Sequence, residues 1–455
     1  VIMARVDSLP AGAKEVLQTG SIIEREFSYS LIKSITDLPE QELLSYLSVL
    51  KDSELLYERG IYPQSTYIFK HAVTQEVVYD SVLTKRKKGL HEEIGKSIEQ
   101  LYQDNLQEHY GILSEHFIRS ENYEKGAEYS KLASKRAEET ASLNEAINYA
   151  LKRVSALEKL PRTDSLEEEI IHLRIIAGLL MMEMNYFKRA REIVAPVVES
   201  VLKGGNGKKM SQILTILGTY EFVVEENYPK AFEHLEKALR ISKELEETRA
   251  LAAVSYWIGC AQCLNCELEK AAINIGRTEK IVTAAKIPWR EATLKSLLSH
   301  LVYYSQGSID LAHETSRRAV TIAEESGDIY SKAFSCSCHG ISCFGKGSFQ
   351  EAVELLSIGR ELSERLNHDW WHPWSNHFLG EVYFEIGQYQ KARDHYYEAA
   401  SLFDRHGTWP SNNIVSKIGL ARTQILHDRE DVNLEALYGL SLIHISEPTR
   451  LLRRS

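Results

Sequence analysis

Proline is scarce in this sequence, with 10 in 455 residues. A chain so poor in helix breakers is free to form long helices. No run of 18 apolar residues occurs, so no membrane-spanning helix is expected. Positive charge is not in excess: 54 Lys and Arg face 64 Asp and Glu, a formal net charge of -10. That balance argues against non-specific nucleic-acid binding, which needs a basic face. Cysteine is sparse, with 6 in two groups, Cys260, Cys263, Cys266 and Cys336, Cys338, Cys343. So few in so long a chain do not make a secreted disulfide framework, and a reduced cytoplasm is the expected setting. The opening VIMARVDSLP has neither the charged nor the apolar region of a signal peptide. It lacks an initial Met and reads as an internal fragment boundary.

Catalytic constellations are missing too. A phosphate-cradling loop needs G-x-x-x-x-G-K-[ST], whose backbone amides wrap the phosphates. Gly204, Gly205, Asn206, Gly207, Lys208 and Lys209 come nearest, but the spacing is wrong and no Ser or Thr follows Lys208. This stretch reads as a loop between helices. No Ser-His-Asp or Cys-His nucleophile arrangement can be assembled from neighbours. Glu225, Glu226 and Glu167 to Glu169 read as solvated faces. The C-x-x-C-x-x-C run at Cys260 and the Cys336-Ser-Cys338-His339 run, with Cys343, lie two units apart with a whole repeat between them, so a joint site is geometrically poor and they read as small buried side chains. No metal and no catalytic residue is expected in this chain.

What is present is a beat. Gly178, Gly218, Gly259, Gly340, Gly380 and Gly419 recur at steps of 40, 41, 81, 40 and 39, and Ser299 fills the missing place. Twelve or thirteen residues after the first six places stand Ala190, Ala231, Ala271, Ala312, Ala352 and Ala392. Two small residues in step on a fixed period mark stacked helix pairs. The first helix of each pair carries the glycine and the second the alanine. An apolar residue three before each alanine (Phe187, Tyr228, Leu268, Ile309, Phe349, Tyr389) can pack back on the first helix. Ala238, Ala319, Gly359 and Ala399 follow two turns later on the same face.

The first part of the chain differs. Helices are predicted over LPAGAKEVLQTGSII, near Tyr29 to Ile35, and over LPEQELLSYLSVLKDS, where Leu43, Leu44, Leu47 and Leu50 form one stripe. Then the period switches to two short β-prone runs, Leu55 to Glu58 and Thr66 to Phe69, separated by Gly60, Pro63 and Gln64. Three helices followed by a hairpin describe a winged helix. A helix is expected from near His71 and a long one from about Lys85 to Gln103.

The strings ARVDSLP, YIFKHAVTQEVVYDSVL and KRKKGLHEEIGKSIE resemble the end of the nucleotide-binding module of STAND-type signalling ATPases. The resemblance is to the bacterial group in which class III adenylate/guanylate cyclase domains precede the ATPase module and a tetratricopeptide array. It implies that His71 contacts the β-phosphate of ADP. It implies also that ADP or ATP and Mg belong only with a missing upstream module, and that this upstream ATPase core is a partner in cis. Leu379 to Phe403, with Gly380, Tyr383, Ala392, Tyr396 and Ala399, resembles the tetratricopeptide repeat in a longer form. The fold expected is mostly α: a winged-helix domain followed by a tetratricopeptide-type α-solenoid, a right-handed superhelix. Residues 1–105 form the winged-helix end with following helices, 106–164 linking helices or a first degenerate repeat, and 165–439 the repeats. Residues 440–455, which include LSLIHISEPTR, resemble a translated sequencing-library adapter and are read as artefact. The unit begun at Gly419 is expected to be cut, not capped.

First-helix residues usually line the groove of such arrays. Four places past the beat stand Phe222, Cys263, Tyr303, Phe344 and Phe384, and Trp370, Trp371, Trp374 and His377 cluster at a helix start. An aromatic groove suits capture of a protein or peptide partner. The basic run Lys85 to Lys88 reads as a solvated helix start or a contact to the ATPase core rather than a DNA contact. The function expected is a cytoplasmic, non-enzymatic sensor whose repeats bind a protein or ligand and control an upstream nucleotide switch and cyclase output. A transcriptional regulator of the STAND type and a protein-interaction scaffold are the alternatives.

Overall fold

The structure is a computed structural model that describes residues 2–427. The adapter-like tail from Leu440 therefore lies outside the described residues. The chain divides into two compact units, Val1–Arg136 with Asn148–Ile170, and Ala137–Ile147 with Ile171–Ser455. Three helices straddle the division: α8 (Tyr123–Glu139), α9 (Leu143–Leu157) and α10 (Asp164–Glu183).

Unit 1 begins with α1 (Ile2–Asp7), α2 (Ala11–Ile23), β1 (Glu26–Ser28), α3 (Tyr29–Ile35), α4 (Glu40–Asp52), β2 (Leu56–Arg59) and β3 (Thr66–Phe69). It continues with α5 (Ala72–Ser81), α6 (Thr84–Leu101) and α7 (Tyr110–Arg119). The strands make an antiparallel sheet in the order β1-β3-β2, with Phe27 opposite Tyr67 and Tyr57 opposite Ile68. Pro39 caps α4 from outside, and Leu43, Leu47 and Leu50 bury its apolar stripe. That stripe joins Val16, Leu17, Ile32, Phe69 and Ile94 in one core. The expected hairpin is present. The added element is β1, whose three residues are too short to show an alternating pattern.

Unit 2 is built of helix pairs: the Gly178 end of α10 with α11 (Phe187–Val194), followed by the short α12 (Val198–Lys203), then α13 (Gly207–Val223) with α14 (Tyr228–Glu244) and α15 (Thr248–Leu264) with α16 (Leu268–Ala284). Next come α17 (Pro288–Leu297), which runs into a π-helical turn at Leu298–Tyr304, and α18 (Ile309–Ser326). The array goes on with α19 (Ile329–Gly345), α20 (Phe349–Arg365), α21 (Trp371–Glu385), α22 (Tyr389–His406) and α23 (Pro410–His427). Helices of 17 residues recur in α13, α14, α15, α16, α19 and α20, which is where the length beyond a shorter repeat goes.

The turns have their own rhythm. Left-handed residues stand at Gly205, Glu226, Glu246, Cys266, Lys286, Gly307, Gly327, Gly347, Asn367, Gly387 and Gly407, one at nearly every half-repeat. Each ends a helix in the αL conformation, which lets the chain reverse within a few residues. The glycine beat has a direct steric cause. A Cβ at Gly218 would meet Leu235 Cγ at 2.7 Å and the Ala231 carbonyl at 3.0 Å, and one at Gly340 would meet Leu356 Cγ at 2.7 Å. The beat alanines Ala190, Ala231, Ala271, Ala312, Ala352 and Ala392 are all fully buried. The two small residues are thus where paired helices touch.

Candidate functional site

Within unit 2, side chains far apart in sequence meet in an aromatic interior. Phe187 lies edge-on to Trp257 and Trp409, at ring-centroid distances of 5.4 and 6.0 Å. Trp409, in the turn between α22 and α23, also meets Phe222 at 6.1 Å and stacks on Trp370 at 4.7 Å. Trp370 stacks on Trp371 at 5.1 Å, and Trp371 meets Phe334 at 5.0 Å and His300 at 5.9 Å. Polar contacts hold the same closure. The Trp409 amide donates to the Val223 carbonyl at 3.0 Å, and the Ser411 amide and hydroxyl both donate to the Glu226 carboxylate at 2.8 Å. The Tyr330 hydroxyl donates to the Glu183 carbonyl at 2.7 Å, and the Asn144 amide nitrogen to the Leu366 carbonyl at 2.9 Å. Arg290 bridges Glu183 at 2.8 Å and Glu138 at 3.5 Å.

Two histidines set the electrostatics of this interior. His368 Nδ1 accepts the amides of Trp370 and Trp371 at 3.3 and 3.2 Å, so its proton is on Nε2. Nε2 lies 3.2 Å from the Asn185 side-chain amide. We therefore assign the Asn185 amide with its oxygen facing Nε2, which also gives that oxygen a partner. His300 Nε2 accepts the Trp374 indole N–H at 3.0 Å, which puts its proton on Nδ1. Burial keeps both rings neutral, lowering His368 to about 3 and His300 to about 4. His300 Nδ1 has no hydrogen-bond partner among the described residues, nor has the indole nitrogen of Trp370, Trp371 or Trp409. These four groups are all donors. Each buried donor without an acceptor costs on the order of 1–3 kcal/mol.

The sequence-predicted groove residues fall in and around this interior. Trp371 is 0%, Phe222 1%, His377 4% and Trp370 6% exposed, so these four are covered rather than displayed on an open surface. Trp374, Tyr303, Phe344 and Phe384 are half-buried. Trp374 stacks on His377 at 4.8 Å, and His377 Nδ1 lies 3.2 Å from the Ser416 hydroxyl. Phe344 meets Phe349 at 6.1 Å, and Phe384 meets Tyr389 at 5.5 Å with the Arg422 guanidinium 4.1 Å from its ring. In these two units the apolar residue three before the alanine does pack back on the first helix. Sequence reasoning gave Phe187 only a packing role within its own repeat, and it missed Trp409, Trp257 and His368. Trp409 sits in a turn, where no period marks it.

In unit 1, His71 is exposed just before α5, and its carbonyl accepts the Thr74 amide at 3.0 Å. The basic run is neutralised locally: Arg86 pairs with Glu15, Lys87 reaches Asp80 at 3.8 Å, and Lys88 pairs with Glu121 at 2.6 Å. A cleft of about 650 Å³ in this unit is lined by Glu24, Arg25, His91, Glu115, His116 and Arg119, among others. On its wall, His91 Nδ1 and His116 Nδ1 lie 2.8 Å apart. Burial and then the neighbouring Arg119 lower His91 to about 4, while burial and then His91 lower His116 to about 3. One cluster of potential metal ligands stands out among the described residues: His313, His339 and Cys343, with ligand atoms all within 4.8 Å of one another. No described helix is long and apolar enough to cross a membrane.

No family model and no curated protein matches the chain. Solved structures do. A Rap protein complexed with Competence and Sporulation Factor is similar over 71% of this chain and 88% of its own, at 14% identity and a TM-score of 0.54. A Signal Transduction ATPase with Numerous Domains (STAND) protein with a tetratricopeptide repeat sensor, from Pyrococcus horikoshii, is similar over 97% of this chain at 13% identity and a TM-score of 0.49. This chain spans 64% of that protein's length. Yeast Tom70 is similar over 82% of this chain, at 11% identity and a TM-score of 0.34. At these identities the likeness concerns the fold alone: a mostly helical chain resembling tetratricopeptide-repeat proteins.

Proposed function

We propose that this chain acts by binding, as the sensor part of a signalling protein, with unit 2 as a tetratricopeptide-type superhelix that takes a protein or peptide partner. The observation that carries this reading is the excess of donors in the aromatic interior. His300 Nδ1–H and the indole N–H groups of Trp370, Trp371 and Trp409 have no acceptor among the described residues. These donors are covered in the closed interior, so a peptide, with a carbonyl acceptor at every residue, meets them only where the turn carrying Trp409 moves aside. The aromatic side chains then supply the stacking surface. The fold likeness to a Rap protein complexed with a factor is in keeping with this use of the array. Selection of a displayed random-peptide library against the chain tests it. Selected peptides should bind several-fold more weakly to Trp370→Phe and Trp409→Phe, which remove a donor each and keep an aromatic ring. Selection of no peptide, or binding indifferent to both changes, would count against the reading.

The finer parts of the proposal rest on the sequence resemblance. The order helix, strand, helix, helix, strand, strand from α2 to β3 supports a winged helix within residues 1–105. Residues 165–439 carry the repeats, with 106–164 linking the two regions. The F-x-H-A-x-x-Q-E-x-x-Y string supports a place at the end of a bacterial STAND nucleotide-binding module, with His71 facing the β-phosphate of ADP. The exposed place of His71 at a helix start, where free backbone N–H groups gather, suits that role. ADP or ATP with Mg would be held by the upstream ATPase core, in a cytoplasmic protein whose output is a class III cyclase. Addition of the partner to the full-length protein should then change cyclase output, and His71→Ala should weaken ADP retention. An unchanged ADP off-rate in that variant would remove His71 from the site.

A further inference from the structure

The beat that orders unit 2 also shows where one repeat departs from it. Immediately before the first-helix glycine or serine stand Ala177, Leu217, Ile258, Leu298 and Leu379, but His339 in the Gly340 unit. Immediately before the second-helix alanine stand Arg189, Lys230, Lys270, Leu311 and Lys391, but Glu351 in the same unit. Three places after the glycine stands Cys343, and just after Ala312 of the preceding unit stands His313. In the fold these four departures converge. His339 and Cys343 are four residues apart on one face of α19, and both are buried. His313 comes from α18, with its ring 4.8 Å from that of His339. Glu351, in the first turn of α20, lies close enough for its carboxylate charge to act on the Cys343 thiol.

We infer that His313, His339 and Cys343 form a site for a divalent transition metal of the zinc class. Two imidazoles and one thiolate suit tetrahedral Zn²⁺ and leave its fourth position to water or to the nearby Glu351 carboxylate. With Glu351 in that position the bound site would be electroneutral, which matters where ligands are buried. The ligand atoms of His313, His339 and Cys343 all lie within 4.8 Å of one another. Tetrahedral bonds of about 2.0–2.3 Å put ligand atoms roughly 3.3–3.8 Å apart, so closure needs about 1 Å of side-chain adjustment. The supporting shell is present. Ser316 Oγ donates to the Ala312 carbonyl at 2.8 Å and lies 2.9 Å from His339 Nδ1. With its proton committed, Ser316 accepts Nδ1–H and leaves Nε2 of His339 to ligate, the usual arrangement around metal-bound histidine. Glu351 is exposed and His313 half-buried, which gives the metal a route in. Lys346, whose charge acts on Cys343, is engaged with Asp310 at 2.8 Å. A bound ion would join α18 to α19, and so tie two consecutive repeats.

Cobalt(II), titrated into the metal-free full chain, reads the site directly. The expected result is saturation at a single site, with the visible absorption of a tetrahedral cobalt centre and a near-ultraviolet thiolate charge-transfer band. Zinc should bleach both and raise the unfolding temperature. Cys343→Ser should remove the charge-transfer band, and His313→Ala, at a half-buried position, should greatly weaken binding. Ser316→Ala, which only positions His339, should weaken it by about tenfold. If Cys343→Ser fails to fold, His313→Ala decides the matter. A folded chain that gives no tetrahedral cobalt spectrum overturns the assignment. So does a spectrum that persists unchanged in His313→Ala.

Discussion

At Gly259 and Ser299, equivalent places in consecutive repeats, the first helix meets the carbonyl of that repeat's alanine. At Gly259 the approach is made by absence: a Cβ would stand 2.6 Å from Ile275 Cγ1 and 3.4 Å from the Ala271 carbonyl. At Ser299 a side chain is present, and its hydroxyl donates to the Ala312 carbonyl at 2.7 Å. Here the first helix leaves α geometry for a π turn over Leu298–Tyr304. The wider turn accommodates the Cβ, and the hydrogen bond replaces close packing as the link between the helices. The lesson is that the beat conserves a distance between helices, and two chemistries can meet it. The widened turn also carries His300, whose unpartnered Nδ1–H is among the donors of the aromatic interior. That π turns gather at functional sites is in keeping with this.

The comparison can be broken most severely at a glycine. Gly218→Val places two further carbons where even one would meet Leu235 and the Ala231 carbonyl, and a cost of about 3 kcal/mol or more is expected in denaturant unfolding. A variant as stable as the parent would show that the steric reading of the beat is wrong. Acid comes next. His300 and His377 are lowered to about 4 and His368 to about 3 by burial, against 6.5 for a free ring. The unfolded chain therefore binds more protons between these values, so stability is full above about pH 6.5 and falls as pH drops towards 4. The loss is on the order of 1 kcal/mol per histidine for each pH unit in that window. Tryptophan-monitored melting at a series of pH values checks it, and a midpoint flat across the window would contradict the neutral buried rings.

Ser299→Ala should act more gently. The Ala312 carbonyl still accepts the Ser316 hydroxyl at 2.8 Å, so no acceptor is orphaned, and a loss of about 1 kcal/mol is expected. A loss as large as that of Gly218→Val would mean that the hydroxyl does more than link the helices. The smallest effect has the opposite sign. Gly276 lies inside α16 with open space around its missing Cβ. Gly276→Ala should stabilise by about 0.5–1 kcal/mol, because it restricts the unfolded chain without a clash. Destabilisation there would place Gly276 with the beat glycines.

The amino-acid sequence alone determined the helix pairs, their period, the small residues at their contacts, and the order of helices α2, α3 and α4 before the β2–β3 hairpin. These follow from local rules, since periodicity, turn residues and capping act within a few residues of chain. It did not reveal β1, which is three residues long and owes its existence to pairing with β3. Nor did it reveal that Trp370, Trp371 and Phe222 lie covered beneath Trp409, because the turn that carries Trp409 reaches Val223 across 186 residues of chain. The sequence reading expected no metal, since a whole repeat separates the Cys260 group from the Cys336 group. His313 joins His339 and Cys343 only when α18 packs on α19. Local pattern decides which residues become helix and which face is apolar. Which unpaired donors and ligands end up facing one another is settled by long-range packing, where residues distant in sequence first share a space.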